Sequence, residues 1–315
     1  MILKFIFSAT FLLSATGFAE GTNTITAAEA PKPKLWKAQF DSYYYDFKGE
    51  RPQENGLYEF GNTTLKMQFF TLQYQLSPSW TLMGLAQHYE NFVITKVAGF
   101  PDSKDRSEGI ADTQLIALHT QFLSPSVLLI TDVGLSLPTG SIDKKTPYDP
   151  TGRKNYPYNM QMGSGTLDQT AGVTALYLSP KFQLGGRFAT ILRTSGYNEN
   201  DYRLGNQYKT DAWIDFPLGA SGWTPRVVGY YKHRDAIQGQ DSTLSNPFER
   251  PFLEYYYHAQ INWDVSAAIQ YKKTLNSSLS LKAEFGVPMA QETLNYDDVA
   301  IYTEYYGTLG VSGSF

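Results

Sequence analysis

Apolar and polar residues alternate with a period of two along most of this chain of 315 residues. In the segment 279–287, for example, Leu279, Leu281 and Phe285 alternate with Lys282 and Glu284. Successive side chains of a β-strand point to opposite faces, so this period predicts strands with one apolar and one polar face. The chain is therefore expected to be all-β.

Twelve segments with this alternation are predicted to be strands. They cover residues 35–47, 62–76, 80–93, 109–123, 127–137, 167–178, 181–193, 206–216, 223–234, 260–275, 279–288 and 302–315. The connections between them alternate in length. Short turns, several of them with proline, fall at 77–79, 124–126, 179–181, 217–222 and 276–278, and longer connections fall at 48–61, 94–108, 138–166, 194–205, 235–259 and 289–301.

Short turns at one end and long loops at the other are typical of outer-membrane β-barrels, in which only alternate residues of each strand face lipid. An even number of strands also places both ends of the barrel domain on one side of the membrane. We therefore predict a single antiparallel transmembrane β-barrel of the outer-membrane type, with about twelve strands, over residues 35–315.

The aromatic content supports a membrane barrel. Aromatic residues make up 15% of the chain, whereas all charged residues together make up 18%. Membrane barrels carry aromatic girdles at the two lipid interfaces. The aromatic residues expected in or near these girdles are Trp36, Phe47, Phe69, Phe70, Trp80, Tyr89, Phe122, Tyr177, Phe182, Phe216, Trp223, Tyr230, Tyr231, Trp263 and Tyr305. A secreted β-sandwich or propeller stays open as an alternative, because it also has short strands with regular turns.

The first 34 residues are predicted to lie outside the barrel. Residues 1–19 have the basic residue, apolar run and small-residue cleavage site of a signal peptide, and the apolar run is shorter than the roughly 20 residues of a spanning helix. Residues 20–34 are small, polar and proline-bearing, which predicts a flexible periplasmic lead-in. The protein is therefore expected in the cell outer membrane of a Gram-negative bacterium.

The C-terminal strand ends in Phe315, preceded on the same face by Val311, Leu309 and Tyr305. A terminal phenylalanine on an alternating strand looks like the signal read by the barrel-assembly machinery. The partners expected from the sequence are that machinery, outer-membrane lipid and a small-molecule cargo. The formal net charge is −4, which is close to neutral and argues against a nucleic-acid partner.

Catalysis and metal binding find little support in the sequence. The chain has no cysteine, and its four histidines, His88, His119, His233 and His258, form no metal-binding or nucleophile motif. Barrel lipases need a nucleophile and a base side by side. We therefore expect a protein that is not an enzyme and that holds no metal and no cofactor.

Charged residues on the face opposite to the apolar one are predicted to line a pore. They are Arg187, Arg193, Lys209, Arg226, Lys232, Arg234, Asp112, Asp132, Asp168 and Glu90. The basic residues fall on later strands than the acidic ones, so a basic wall opposite an acidic wall is expected to set a field across a hydrated lumen. The alternative is that these charges pair with one another and fill the barrel.

The longest connection contains two glycine motifs, one with Pro138 and Gly140 and the other with Gly163 and Gly165. They are interpreted first as turn formers at the strand ends and only second as ligand contacts. The loop between them, residues 142–159, carries several tyrosines and lysines. Its length suggests the hypothesis that it folds inward and constricts the lumen.

Five short motifs resemble a known family. They are EGIADT at 108–113, GLSLPTGS at 134–141, MQMGSGTLD at 160–168, NDYRLG at 200–205 and EFGVP at 284–288. Together they resemble the transporter family named for the MetA pathway of phenol degradation. The resemblance implies an outer-membrane, porin-like channel, often assigned to the uptake of hydrophobic or aromatic compounds. The predicted function is thus passive passage of small molecules, and the alternative is a non-transporting barrel with a structural or adhesive role.

Overall fold

The computed structural model describes residues 36–50, 58–59, 62–97, 103–146, 154–156, 158–243, 260–276, 278–294 and 300–315. The predicted signal peptide, residues 1–19, and the predicted lead-in, residues 20–34, lie outside these residues. Within the described ranges, no helix has the length and apolar composition needed to span a membrane.

Sixteen strands are assigned in the described residues. They are β1 (Trp36–Glu50), β2 (Tyr58–Glu59), β3 (Asn62–Gln75), β4 (Trp80–Val97), β5 (Ser103–Ile110), β6 (Thr113–Ser124), β7 (Val127–Leu137), β8 (Asp168–Leu178), β9 (Gln183–Leu192), β10 (Tyr202–Arg203), β11 (Gln207–Asp215), β12 (Trp223–Arg234), β13 (Gln238–Gly239), β14 (Gln260–Asn276), β15 (Leu279–Leu294) and β16 (Ala300–Ser314). Strands β2, β10 and β13 have two residues each.

The long strands close into one antiparallel barrel. Strands β5 and β6 both pair with β4 and together take the place of one strand in the barrel. They are separated only by residues 111–112. With the two-residue strands β2, β10 and β13 left aside, consecutive strands of the barrel pair with one another, and β1 pairs with β16 to close the ring. Counted over the described residues, the barrel has twelve strands, so the prediction of an all-β antiparallel barrel with about twelve strands is confirmed.

Two predicted connections are much shorter than expected. Strand β4 continues to Val97 and β5 begins at Ser103, so most of the predicted connection 94–108 is strand. Strand β15 likewise continues to Leu294 and β16 begins at Ala300, which shortens the predicted connection 289–301. The segment 104–108 is polar on both faces, so the hydrophobic period disappears there although the backbone pairing continues.

The outer face of the barrel is apolar. Leu184 and Phe188 of β9 and Phe285 of β15 are exposed there, as are many aliphatic residues of the other strands. Aromatic pairs lie near the short turns, with ring centroids 4.6 Å apart for Trp36 and Tyr74 and 4.7 Å apart for Trp223 and Tyr271. Such a belt matches the lipid-facing surface and the interfacial aromatics of membrane barrels.

Four aromatic residues expected in the girdles lie inside the barrel instead, each at most 7% exposed: Phe47, Phe69, Tyr89 and Tyr230. Alternation could not assign them, because β1, β3 and β4 carry apolar residues on both faces. We use the name inner aromatic cluster for Tyr43, Tyr45, Phe47, Phe69, Tyr89 and Tyr306. Its rings make edge and stacked contacts, for example 5.1 Å between the centroids of Tyr43 and Phe69.

A second set of inward apolar side chains fills the barrel toward its short-turn end. We call it the lower cluster, and it contains Met83, Ile116, Leu118, Leu128, Ile130, Leu176, Trp213 and Val228. The indole ring of Trp213 lies against Gly185, where a Cβ atom would overlap the ring. The missing side chain of Gly185 is therefore what allows Trp213 to lie flat against the wall.

We predict that Gly185→Ala destabilises the barrel by about 1–3 kcal/mol, because the added methyl group overpacks the lower cluster. The matched control is Gly186→Ala, which points outward and whose Cβ would lie 3.7 Å from its nearest neighbour, the carbonyl oxygen of Asp211. Denaturant unfolding in lipid vesicles, followed by tryptophan fluorescence, measures the difference. Equal stability of the two variants would contradict the packing argument.

Candidate functional site

Nine of the ten residues predicted to line a pore lie on the inner side of the barrel. Seven of them, from β7, β8, β9, β11, β12 and the residue after β9, are buried, and Asp112 and Arg234 border an internal cavity. The nine residues are Arg187, Arg193, Lys209, Arg226, Lys232, Arg234, Asp112, Asp132 and Asp168. The barrel interior therefore concentrates charge in a region that water reaches poorly.

The prediction for Glu90 is wrong. Its neighbours in β4, Tyr89 and Asn91, are buried inside the barrel, which places Glu90 on the outer face. There it pairs with Lys66 at 3.4 Å and with Arg106 at 3.2 Å, both of which are more than half exposed. The rule that the polar face points inward fails in this part of β4, because the strand faces the inner aromatic cluster and rises beyond the apolar belt.

Ion pairs join strands inside the barrel, and the pair of Arg187 and Asp132 reaches from β9 across β8 to β7. Arg187 donates to both carboxylate oxygens of Asp132, at 2.7 Å and 3.1 Å, and to the hydroxyl of Thr174 at 2.9 Å. Gly172 lies between them, where a Cβ would come within 2.7 Å of Arg187 and of Asp132. Arg193 pairs with Asp168 through a single contact, from its Nη1 to one carboxylate oxygen. The bidentate pair of Arg187 and Asp132 fixes the guanidinium group as well as neutralising it.

A second ion-pair group lies further toward the short turns. Arg226 donates to Asp215 at 2.5 Å and 2.9 Å and contacts Glu284 at 3.4 Å. Glu284 also accepts from Gln270 at 2.9 Å and lies 3.7 Å from Lys282. The acids and bases therefore pair along the wall, instead of standing on opposite walls as the sequence analysis expected.

We predict that Arg187→Met lowers the free energy of unfolding by about 3–5 kcal/mol, because Asp132 is left as an uncompensated buried charge. The double variant Arg187→Met with Asp132→Leu is expected to recover most of that loss, since both charges are removed together. Denaturant unfolding in vesicles measures both. A single variant as stable as the parent chain would show that the pair is not structural.

The two glycine motifs of the long loop meet at Asp112, which lies at the break between β5 and β6. Its carboxylate accepts from the backbone N–H of Gly140 at 3.0 Å, from the backbone N–H of Ser164 at 2.8 Å and from the Ser164 hydroxyl at 2.7 Å. We call this arrangement the Asp112 latch. It ties Gly140 and Ser164, which lie near the two ends of the connection 138–166, to the barrel wall at one point.

Glycine is required on both sides of the latch. A Cβ at Gly140 would lie 2.7 Å from the Cα of Gly163, so the two backbones approach closely. Gly165 has a positive φ of 68° beside Asn198, and Pro138 directly follows β7. These contacts favour the interpretation of the motifs as turn formers over their interpretation as ligand contacts.

The loop turns inward just before its second contact with the latch, at Ser164. We use the name inward segment for residues 158–164, which run under the rim of the barrel. Met160 is buried in one cluster with Val93 of β4 and Tyr156, and its carbonyl accepts from Ser107 at 2.6 Å. Tyr158 packs against Tyr202, with ring centroids 4.5 Å apart. Residues 158–164 thus fold inward, while residues 147–153 and 157 of the loop 142–159 named in the sequence hypothesis lie outside the described residues.

Several residues that hold the inward segment were not singled out from the sequence. Gln161 donates to the carbonyls of Tyr156 and Lys144, and Asn198 donates to the carbonyl of Ser164 at 2.9 Å. The backbone N–H of Asp241 donates to the hydroxyl of Tyr158 at 3.0 Å. Burial raises the pKa of Tyr158 to about 12, so this phenol stays neutral. Two motifs signalled this region, MQMGSGTLD, which contains Gln161, and NDYRLG, which follows Asn198.

A cavity of about 130 Å³ lies between the inward segment and the barrel wall. One part of its lining is apolar or aromatic, with Tyr89, Met162, Ile191, Leu204 and Ile237. The other part is polar, with Gln87, Gln114, Arg193, Lys209 and Arg234. Among the described residues, no group of three or more histidines and carboxylates is placed to hold a metal ion. The cavity is thus an amphipathic compartment inside the barrel.

Residues 53–297 match the family described as "Putative MetA-pathway of phenol degradation". The chain belongs to this family. The match covers more than three quarters of the chain and includes the Asp112 latch, the inward segment and the cavity lining. The family suggested by the five sequence motifs is therefore confirmed, and three of those motifs meet at the latch.

Among solved structures, this member of the MetA-pathway family resembles outer-membrane barrels. It is 14% identical to the COG4313 outer-membrane channel from Pseudomonas putida F1, with a TM-score of 0.59 over 92% of this chain and 99% of that one. The β domain of the Bordetella autotransporter Brka is 10% identical, with a TM-score of 0.48 over 89% and 100% of the two chains. A deltaS2 mutant of the TodX monoaromatic hydrocarbon channel is 9% identical, with a TM-score of 0.44 over 90% and 91%. No curated protein sequence matches the chain.

We predict that Asp112→Ala releases the loop of this family member, because three hydrogen bonds to one carboxylate are lost. Trypsin cleavage after Lys144, Lys145 and Lys154 is expected to become about ten-fold faster, which corresponds to the loss of one charge-assisted hydrogen bond or more. Mass spectrometry of the fragments measures the rates. Glu108→Ala, on the exposed outer face of β5, is the control, and equal rates in the two variants would contradict the latch.

Proposed function

We propose that this chain is a gated outer-membrane channel through which small, ring-containing or otherwise apolar molecules diffuse passively. The observation that carries the proposal is the amphipathic cavity, which the inward segment borders on one side and the barrel wall on the other. A structural barrel needs no such compartment, whereas a channel needs a place where cargo leaves water and meets the wall. Clefts of mixed apolar and polar lining are typical small-molecule sites.

The size and lining of the cavity support a cargo with a single ring. A dry cavity of roughly 150 Å³ lined by apolar side chains is large enough for benzene, and the cavity here measures about 130 Å³. Family membership and the fold shared with the outer-membrane channel from Pseudomonas putida F1 agree with this proposal. The name of the family points to phenolic compounds, and we propose that cargo class on that basis.

We propose that the conduit is closed in this conformation. Beyond the cavity, the buried side chains of the lower cluster and the ion pairs of Arg187 and Arg226 fill the barrel interior. We propose that passage requires the inward segment to move at one end and the lower cluster to rearrange at the other. The latch and the clusters then act as two gates in series.

We further propose that the protein resides in the cell outer membrane after removal of residues 1–19. The apolar outer face would contact outer-membrane lipid, and the exposed Phe315 would be read by the barrel-assembly machinery. Phe315 exchanges backbone hydrogen bonds with Trp36, at 3.0 Å and 3.1 Å. The proposed assembly signal therefore lies where β1 and β16 pair to close the barrel. We propose small-molecule cargo and no nucleic-acid partner, in line with the near-neutral charge.

Transport is proposed here rather than catalysis. His119 packs against Trp80 on the outer face, with ring centroids 4.8 Å apart, and His233 pairs with Asp235 outside the cavity lining. His258 lies outside the described residues. None of the three histidines that the structure describes borders the cavity. The polar groups that line it are amides, phenols, a carboxylate and cations.

The filled interior favours one alternative, a barrel that does not transport. To separate the two functions, we would lock the inward segment with a reversible disulfide between Val93→Cys and Met160→Cys, two residues of one buried cluster. The native chain has no cysteine, so the engineered pair reports on this contact alone. We expect single-channel conductance of the parent chain, a loss of opening events in the oxidised pair and recovery with dithiothreitol.

The two single-cysteine variants are the controls and should conduct under both conditions. A parent chain that folds and never conducts would contradict the channel and support the non-transporting alternative. A parent chain that conducts, with an oxidised pair that conducts equally well, would retain the channel and exclude the inward segment as its gate.

A further inference from the structure

We infer that Gln114 and Ser136 determine the specificity of the cavity by hydrogen bonding an uncharged hydroxyl group of the cargo. This inference rests on the proposed function, because it names the residues that select the cargo within the same cavity. Three observations carry it: the position of the two side chains on the wall, their lack of partners and their surface toward the cavity.

Gln114 and Ser136 are direct neighbours on the inner face of the wall. They oppose one another in the register of β6 and β7, and both border the cavity. Their neighbours in the chain, Leu115 and Leu135, are exposed on the outer face, so the side chains of Gln114 and Ser136 point inward. Opposed residues of an antiparallel pair have Cβ atoms roughly 4.5–5.5 Å apart. One small group can therefore contact both side chains.

Both side chains are buried without being used by the fold. Gln114 is 6% exposed and Ser136 is 3% exposed. Within the part of the chain that the structure describes, neither the carboxamide of Gln114 nor the hydroxyl of Ser136 forms a hydrogen bond. Most buried polar side chains are hydrogen bonded, and the exceptions bond to ordered water, an ion or a ligand. The pair is therefore free to bond a molecule inside the cavity.

The polar atoms of the pair also keep surface. Other polar atoms of the interior, such as the hydroxyl of Thr170, lack both a partner and accessible surface, whereas those of Gln114 and Ser136 do not. Two further amides of the lining are already used, since Gln87 donates to the carbonyl of Asp112 at 3.2 Å and Gln161 holds the inward segment. A molecule in the cavity can thus reach the carboxamide of Gln114 and the hydroxyl of Ser136.

Gln114 also marks the place where two cavities meet. A second cavity, of about 40 Å³, is bordered by Gln114, Ile191, Gln207 and Lys209, and all four residues border the first cavity too. Side chains that border both cavities lie between them. Cargo that moves from the larger cavity to the smaller one therefore passes the carboxamide of Gln114.

A hydroxyl group suits this pair better than a charged or a purely apolar group. The carboxamide has an acceptor oxygen and a donor nitrogen, and the serine hydroxyl can donate and accept. A cargo hydroxyl can donate to one of them and accept from the other. An anion only accepts, so it leaves the amide oxygen without a donor. A methyl group displaces water from both side chains and replaces none of its hydrogen bonds, which lowers affinity.

The test compares 4-fluorophenol with 4-fluorotoluene, two uncharged probes of one shape that differ in a hydroxyl against a methyl group. The refolded full chain in detergent is titrated and followed by fluorine NMR. Each probe partitions equally into detergent in every sample, so the ratio of variant to parent affinity reports on the protein. Gln114→Met and Ser136→Ala should each weaken 4-fluorophenol binding about five-fold to ten-fold, and change 4-fluorotoluene binding by less than about two-fold.

Two further variants are controls. Gln73→Met removes an inward amide of β3 that contacts Met83 outside the cavity lining, and it should leave the binding of both probes unchanged. Gln207→Met removes another amide from the lining. A loss of 4-fluorophenol affinity in Gln207→Met but not in Gln114→Met would overturn the inference.

Equal weakening of both probes by Gln114→Met and Ser136→Ala would also overturn the inference, because it would show a change of cavity shape and no selection of the hydroxyl. If Gln114→Met does not fold, Ser136→Ala, which deletes a single oxygen atom, decides by the same ratio.

Binding and transport fail in different ways in this design. If neither probe binds the parent chain, selection by the pair is wrong, and conductance of the parent chain then tests the channel separately. If the variants lose 4-fluorophenol selectively but the parent chain never conducts in planar bilayers, the site stands and the channel function is wrong. If the parent chain conducts and the variants treat both probes alike, the channel stands and the specificity site is wrong.

Discussion

Every feature of this protein depends on closing a sheet into a ring so that no backbone polar group is left facing lipid. In hydrocarbon, an unpaired N–H or C=O has no water to bond, and only helices and closed barrels avoid that cost. Here the ring closes between β1 and β16, where Phe315 and Trp36 exchange backbone hydrogen bonds at the end of the seam. Once the ring is closed, alternate residues of each strand must meet lipid, and the remaining residues must share a narrow interior.

The interior is filled in a way that depends on glycine as much as on large residues. Gly172 leaves room for the pair of Arg187 and Asp132, and Gly185 leaves room for the ring of Trp213. In β15, a Cβ at Gly286 would overlap the ring of Tyr306. Large side chains can thus lie flat against the wall, and buried charges can pair across a neighbouring strand. The interior reaches high density without a separate plug domain among the described residues.

The sequence predicted the wall of the barrel well because lipid imposes one rule on every strand. Period-two alternation placed Leu184, Phe188 and Phe285 on the outer face, and the proline turns marked one end of the barrel. The same rule failed wherever lipid was not the partner. The segment 104–108 is polar on both faces, and Glu90, Phe69 and Tyr89 lie on strands whose inner face meets the inner aromatic cluster. In those places the side chains are arranged by contacts across the lumen, which a local period cannot encode.

The candidate site shows the same limit. The alternation of residues along the strands was enough to assign nine charged residues to the interior. Their partners could not be assigned in this way, because Arg187 and Asp132, for example, are 55 residues apart in the chain. The family motifs carried information that periodicity lacked, since they contain Asp112, Gly140, Gly163 and Ser164, which meet in space.

The latch also explains why a cavity exists in an otherwise filled barrel. By fixing both ends of the loop at Asp112, it sets how deeply Met160 and Met162 reach, and the cations Arg193, Lys209 and Arg234 border the cavity. Like charges held apart by the strand register cannot collapse onto a common point, so the wall keeps an open corner there. Where charges pair and apolar side chains pack, as around Arg187 and in the lower cluster, the interior closes on itself, whereas at this corner it leaves a cavity.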